Sequence, residues 1–228
     1  MPAISVIIPV LNEETTIENT LQHVKVLDGD KEIIVVDGGS EDKTCQLANN
    51  VADRVVTTSS GRGHQMNIGS ALDEGEVLFF LHSDSWLEAE ALEAIERVMR
   101  DSEVIGGCLS LQIDDDSLPL RFISWSSNLR AKYLKIMFGD QGIFVRRSVF
   151  EEVGGYPEIE LMEDWEFSQQ LAKQKGKLKV LPQKIYTSAR RWEQDGVWST
   201  IWLMHKIKLL YMLGVEPKKL REIYRDAR

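Results

Sequence analysis

The chain has 228 residues, 43% of them apolar and 28% charged, which suits one globular domain with a small appendage and excludes disorder throughout. Lys and Arg number 27 against 36 Asp and Glu, a net charge of −9. So acidic a chain repels a polyanion and excludes nucleic acid as the expected partner, although local cations or a metal could still receive the phosphates of a nucleotide.

The segment ISVIIPV, residues 4–10, is continuously apolar and β-branched, which predicts a strand covered on both faces. Residues 12–24 open on a capping-type Asn12 with acids in the first turn, and Ile17, Leu21 and Val24 follow at helical spacing. KEIIVVD, residues 31–37, predicts a second buried strand, 40–50 a helix and 53–58 a short third strand. Residues 61–72 begin in glycines and continue as a helix; EVLFFLHSD, residues 76–84, is a fourth strand ending in polar residues; 88–100 is again helical. Such alternation with short connections predicts βαβ units and a mostly parallel sheet, hence an α/β fold. In open sheets of this kind ligands bind beyond the carboxyl ends of the strands, which directs attention to residues 9–13, 37–40 and 82–84.

The second half is less regular. Residues 106–114 predict a strand, 118–137 a helix carrying Trp125 and Tyr133 with Phe138 beyond it, and 141–147 another strand. A helix over 163–176 is closed by Gly176. KLKVLP and KIYTSA predict two short strands, and the tail is helical from Val197 onward. With no internal repeat and no low-complexity linker, residues 1–196 form one domain and 197–228 a helical extension. Cys45 and Cys108 form no CxxC pair and are expected as small core residues in a reducing compartment. No basic leader precedes the first strand, and no run of about 18 uncharged apolar residues predicts a membrane span. The expected location is cytoplasmic.

SVIIPVLNEE, EIIVVDGGSEDKT, FFLHSD, LMEDWEF and RRW occur in this order along the chain. Each is weak alone, but the ordered set resembles the family-2 glycosyltransferases, in particular their small bacterial members, over nearly the whole length. The resemblance implies a GT-A fold, a Rossmann-like sheet flanked by helices, and transfer of a sugar from a nucleotide-diphosphate donor to an acceptor hydroxyl.

It also implies roles for particular residues. Asp37, followed by Gly38, matches the aspartate that reads uracil. A carboxylate there accepts from a base N–H, while the bland alternative is a strand-end Asp capping the next segment. Pro9, Asn12 and Glu13 lie on the neighbouring loop, with Glu13 either a nucleotide contact or a first-turn helix acid. Arg62 between two glycines suits a phosphate, and Asn67 is expected to face the same way. His82, Ser83 and Asp84 stand where the family carries Asp-x-Asp, which holds Mg²⁺ or Mn²⁺ against the donor diphosphate. Asp84 keeps the position of the metal ligand; His82 departs from the pattern and is assigned either to the metal or to the donor. Glu163 and Asp164 open a helix, Asp164 matching the catalytic base, with the helix dipole expected to lower its pKa.

Arg191 is expected to neutralise the leaving diphosphate and Trp192 to form an acceptor platform, or the two to stack structurally. Processive relatives have a Gln where this chain has Ser188, so non-processive transfer is expected. The expected partners are a UDP-sugar, with a GDP-sugar as runner-up, and an unidentified hydroxyl acceptor, a lipid-linked one being a candidate. Rival readings are a non-catalytic nucleotide-sugar-binding module and a nucleotidyltransferase, which would release pyrophosphate. Twelve of the 17 residues from Val197 to Leu213 are apolar, interrupted by Lys206 and Lys208. Two uses of this helix stay open: peripheral contact with the inner face of the cell membrane, or packing on the domain or in a homodimer.

Overall fold

The protein is described by a computed structural model that covers residues 3–72, 75–189, 192 and 196–226. Its first half runs β1 (Ile4–Val10), α1 (Ile17–Val26), β2 (Lys31–Asp37), α2 (Thr44–Asn49), β3 (Arg54–Thr57), α3 (Arg62–Ser70), β4 (Val77–Phe80), β5 (Ser85–Leu87) and α4 (Ala91–Met99). The second half runs β6 (Val104–Ile113), α5 (Leu118–Leu134), a 3₁₀ turn (Gly139–Gln141), β7 (Ile143–Arg146), α6 (Arg147–Glu152), α7 (Glu163–Ala172) and β8 (Lys177–Thr187). Two helices close it, α8 (Val197–Met212) and α9 (Pro217–Asp226).

The strands form a single sheet in the order β3-β2-β1-β4-β7-β6-β8-β5. β3, β2, β1 and β4 are mutually parallel; β7 is antiparallel to both β4 and β6; β6 and β8 are parallel; β5 runs against β8. The continuous apolar runs of β1 and β2 are explained by cover on both faces. Ile4, Val6, Ile8, Ile33 and Val35 pack with Ile17 and Leu21 of α1 and Ile95 of α4. Ile7, Ile34 and Val36 point the other way, into a cluster with Met66 of α3 and Phe167 and Leu171 of α7. Strand side chains alternate between faces, so a strand buried on both shows no polar period. α3 lies so close to β1 that a Cβ on Gly69 would come within 2.5 Å of Ile7 Cγ2.

Several boundaries differ from the sequence expectation. α1 begins at Ile17, because Asn12 adopts φ 54° in the preceding loop and is not the cap. α2 starts only at Thr44. α7 ends at Ala172, and Gly176, at φ +134°, belongs to the turn into β8. The two short strands expected around Pro182 are one strand of 11 residues. Its pairing with β6 shifts register between Cys108 and Ser110, opposite the segment holding Pro182. Proline donates no ladder hydrogen bond, and the irregularity accommodates it. β5 and α6 were not anticipated.

The C-terminal helices pack on the body. Ile201 and Met204 of α8 join Ile113, Leu120 and Trp192 in one apolar cluster. Ile207 and Leu220 are buried with Met162 and Trp165, and Tyr211 Oη donates to Glu166 Oε2 at 2.8 Å. The other edge of α8 is exposed. Among the described residues no helix is long and apolar enough to cross a membrane.

Candidate active site

Because β1, β2 and β4 are parallel, their carboxyl ends share one edge, and the loops beyond them build two adjoining groups of polar side chains. The first group joins the β1 and β2 loops. Asp37 accepts from the Gly39 N–H at 3.0 Å and from the Ser40 N–H at 3.0 and 3.2 Å, and also from the Ser40 hydroxyl. Burial alone would raise its pKa, but these donors, led by the Ser40 side chain, hold it below the usual carboxylate range. The loop-capping alternative is thus realised.

Asn12 ties the same loops together, its N–H donating to Ser40 Oγ at 2.8 Å and its Oδ1 accepting from the Glu41 N–H at 2.9 Å. Glu13 accepts from the Thr16 hydroxyl at 2.8 Å, as a helix-start acid does. Gln65 of α3 donates to Val10 O and Val36 O at 2.9 and 2.8 Å, directly beneath Gly38. Pro9 is partly exposed next to them.

The second group lies where β4 ends. Ser83 is buried, its carbonyl accepting from Thr20 Oγ1 at 2.6 Å, which pins the 82–84 turn to α1. His82 points at the 3₁₀ turn. A Cβ on Gly139 would come within 2.3 Å of His82 Nε2 and 2.9 Å of Asp164 Oδ2, so only glycine lets these two side chains meet over the backbone. The Gly139 N–H donates to Asp164 Oδ2 at 2.9 Å. Arg62, at the start of α3, reaches Glu163 at 3.5 Å. Asp84 is partly exposed, and its negative charge helps keep Arg62 protonated.

His82, Asp140, Tyr156 and Asp164 each keep a buried polar atom without a hydrogen-bond partner among the described residues: Nε2, Oδ1, Oη and Oδ1 respectively. Buried unpaired polar atoms are costly, and their concentration here marks a place prepared for a ligand. Burial and the neighbouring Arg62 push His82 down to about 3, so its imidazole is neutral. Burial, then the Glu163 carboxylate, lift Asp164 to about 7, with Arg62 and the Gly139 N–H opposing. This reverses the sequence expectation of a dipole-lowered pKa. The first turn of α7 does favour an anion, but desolvation beneath the 3₁₀ turn outweighs it.

Two expected members are placed elsewhere. Asn67 lies about 140° round the helix from Arg62, five residues on. Its amide is spent on the Tyr156 backbone, donating to O at 2.9 Å and accepting from N–H at 2.8 Å. It therefore anchors the 154–156 loop and does not face the phosphate side. Trp192 is buried with Ile113, Leu120 and Ala189, which leaves little open ring for an acceptor platform. Arg191 lies outside the described residues. Sequence reasoning missed Asp140 and Lys208. Burial raises Asp140, while Arg130 and Lys208 oppose; burial lowers Lys208 to about 8. Arg130 and Lys208 both lie over the Phe138 ring, at 4.4 and 5.0 Å. The run GDQG between helix and strand was the available signal for Gly139 and Asp140.

Residues 5–154 match the family described as Glycosyl transferase family 2. The chain belongs to this family. It is a glycosyltransferase, and the rival nucleotidyltransferase reading falls. A relative from Mycobacterium tuberculosis, a PGL/p-HBAD biosynthesis glycosyltransferase, is 30% identical over 179 residues, covering 73% of this chain and 68% of the relative. Among solved structures, mannosyltransferase PcManGT from Pyrobaculum calidifontis, in complex with GDP-Man and Mn²⁺, superposes with a TM-score of 0.74 at 19% identity. That match covers 99% of this chain and 69% of the other. S. aureus TarS in complex with UDP-GlcNAc gives 0.64 at 20% identity, covering 81% of this chain and 58% of the other. These likenesses establish the GT-A fold of this glycosyltransferase, the mixed half of its sheet included.

Proposed function

We propose that this glycosyltransferase moves a sugar from a UDP-sugar to an acceptor hydroxyl with inversion at the anomeric carbon, once per encounter. The observation that carries the reading is Asp164, a buried carboxylate raised to about 7 with one oxygen unpartnered, beside the cation Arg62. A base with a pKa near the working pH is best placed to take an acceptor proton. In the step, the acceptor oxygen bonds to the anomeric carbon and its proton passes to Asp164. The bond from that carbon to the diphosphate oxygen breaks, and UDP departs. Arg62, half exposed at the start of α3, faces the charge that develops on the leaving diphosphate, and the α3 N-terminus adds a partial positive charge.

Among the described residues no three His, Cys, Asp or Glu side chains converge as a metal cage. A cage is not what this chemistry needs, since Mg²⁺ at such sites takes one or two carboxylates and fills its shell with phosphate oxygens and water. Asp84, partly exposed beyond the end of β4, fits that role, and the neutral imidazole of His82 close by suits Mn²⁺ or a donor hydroxyl equally. When bound, the cation would neutralise charge on the diphosphate. Asp37 supports uracil as the base: its carboxylate is fixed and held ionised by the Gly39 and Ser40 donors at the end of β2. UDP-GlcNAc in TarS agrees with this donor class, whereas GDP-Man in PcManGT represents the competitor.

Titration calorimetry with UDP and GDP, each with Mn²⁺ and with EDTA, tests the donor side. UDP is expected to bind more tightly than GDP, with a gain from Mn²⁺ of roughly tenfold or more that Asp84→Ala removes. Equal or tighter GDP binding would overturn the uracil assignment. Undiminished UDP binding in EDTA would overturn the metal assignment.

A further inference from the structure

Lys208 stands on α8, far along the chain from the site residues, yet its ammonium group ends beside the 3₁₀ turn of the candidate site. Packing fixes α8 there. Ile207 is buried with Met162 and Trp165. Tyr211, three residues beyond Lys208 and so on the same helix face, donates to Glu166 Oε2 at 2.8 Å. The ring of Trp165 lies 6.3 Å from that of Tyr211 and 6.0 Å from that of Phe138. Lys208 Nζ lies over Phe138, 5.0 Å from the ring centroid, and the Arg130 guanidinium of α5 lies over the same ring at 4.4 Å. Phe138 leads directly into Gly139 and Asp140.

The two cations are used differently. Arg130 donates to Ile136 O at 3.2 Å and to Gln141 Oε1 at 3.0 Å, which holds the segment around the turn in shape. The half-buried ammonium of Lys208 makes no hydrogen bond or ion pair among the described residues. Asp140 is likewise left open. Its Oδ1 is buried without a partner, and neither cation forms an ion pair with it. A carboxylate present only as a counter-ion would close on one of them. An ammonium with three unused donors and an open carboxylate oxygen, both withdrawn from bulk water, together complement hydroxyl groups, which donate and accept.

The surroundings of Asp140 indicate whose hydroxyls these are. Burial raises its carboxyl, Arg130, Lys208 and Arg62 oppose the rise, and Asp84 adds to it. Asp164, lifted by burial and by Glu163, is lifted further by Asp140. Asp140 is thus within electrostatic reach both of Arg62, assigned to the leaving diphosphate, and of Asp164, assigned to the acceptor proton. In an in-line transfer the ring of the moving sugar lies between those two partners. We propose that Asp140 and Lys208 form the subsite that holds hydroxyl groups of the transferred sugar and selects among nucleotide sugars. The inference rests on the glycosyl transfer and on the roles of Arg62 and Asp164 proposed above, and is independent of the choice of uracil. It makes the C-terminal helical extension part of the active site.

Titration calorimetry of the full-length protein with Mn²⁺ is the test. It compares UDP with UDP-glucose, UDP-galactose and UDP-GlcNAc, and GDP with GDP-mannose. The variants are Asp140→Asn, which keeps the side-chain shape, and Lys208→Met, which keeps the stem over Phe138. Each should weaken the nucleotide sugar that the wild type binds most tightly by roughly tenfold, as for loss of one hydrogen bond to a charged group, while the bare nucleotide stays within about twofold. Each should also narrow the preference among the three UDP-sugars. Binding is read at equilibrium, so the outcome is separate from whether Asp164 is the base. The same pattern found with GDP-mannose in place of a UDP-sugar would uphold the subsite and overturn the uracil assignment. Equal losses for bare nucleotide and nucleotide sugar, no loss in either variant, or a wild type that binds none of these sugar conjugates would overturn the proposal. So would a raised KM for the acceptor with unchanged donor affinity, which would assign the pair to the acceptor.

Discussion

The two polar groups of the candidate site each hold a buried aspartate, and the fold treats them in opposite ways. At the end of β2, Asp37 is surrounded by donors from Gly39 and Ser40, and its pKa is held down. At the start of α7, Asp164 receives one backbone N–H, lies beside Glu163 and under Gly139, and its pKa is lifted to about 7. Burial raises both; at Asp37 several hydrogen-bond donors outweigh it, whereas at Asp164 the Glu163 carboxylate adds to it and one backbone donor answers. The first arrangement fixes a permanent anion that shapes a loop. The second keeps a carboxylate that gives up and regains its proton near neutral pH. One residue type thus serves recognition in one group and chemistry in the other.

The largest effect is expected from the poised aspartate. Asp164→Asn should slow release of nucleoside diphosphate by about 10²–10⁴-fold while leaving donor affinity intact, since a positioned base is worth about that much. Rates measured with a panel of nucleotide sugars and acceptors, alongside calorimetry, check both halves. Near wild-type turnover would remove the distinction between the two aspartates. Gly139→Ala should cost about 10²-fold, because its Cβ would displace His82 and Asp164 from their meeting place, and a misplacement of about 1 Å has that effect. A variant of normal rate would show that the contact is slack.

The smallest effect is on stability, and there the two aspartates should differ in sign. Asp37 has a lowered folded pKa, so its contribution is present above the ordinary carboxylate value and is lost as pH falls through the folded value. Asp164 has a raised one, so its contribution is full only in acid and is lost as pH rises through about 7. At pH 8, Asp37→Asn should therefore lower the thermal midpoint by several degrees, at about 2–4 °C per kcal/mol for a chain of this size. Asp164→Asn should raise it most at pH 8, less at pH 5, and change it little only below the ordinary carboxylate value. Shifts of the same sign at pH 8, read by calorimetric scans, would contradict the comparison.

The first half of the fold was legible because its strands are buried on both faces and its helices sit on a plain 3.6-residue period. Ile4–Val10 and Lys31–Asp37 are read directly from apolar runs. The second half depends on non-local pairing. Lys177–Thr187 continues through Pro182 only because β6 supplies a partner with a shifted register, which no local pattern encodes. At the site, the ordered motifs pointed to His82 and Asp164 and the flanking glycines to Arg62; Gly139 brings the first two together, and Arg62 reaches the neighbouring Glu163. The direction of the Asp164 shift was not legible, because the helix dipole is local whereas the burial comes from a turn 25 residues earlier. Asn67 was misplaced by overlooking the helical angle from Arg62, a matter the sequence did contain.

The most direct test of the account is the pH dependence of kcat/KM for nucleoside diphosphate release, which reports the ionisations of the free enzyme. The rate is expected to rise with pH through a limb near 7, with the small residual rate of Asp164→Asn lacking that limb. A wild-type limb in the ordinary carboxylate range, or the same limb in the variant, would contradict the assignment of Asp164 as the poised base.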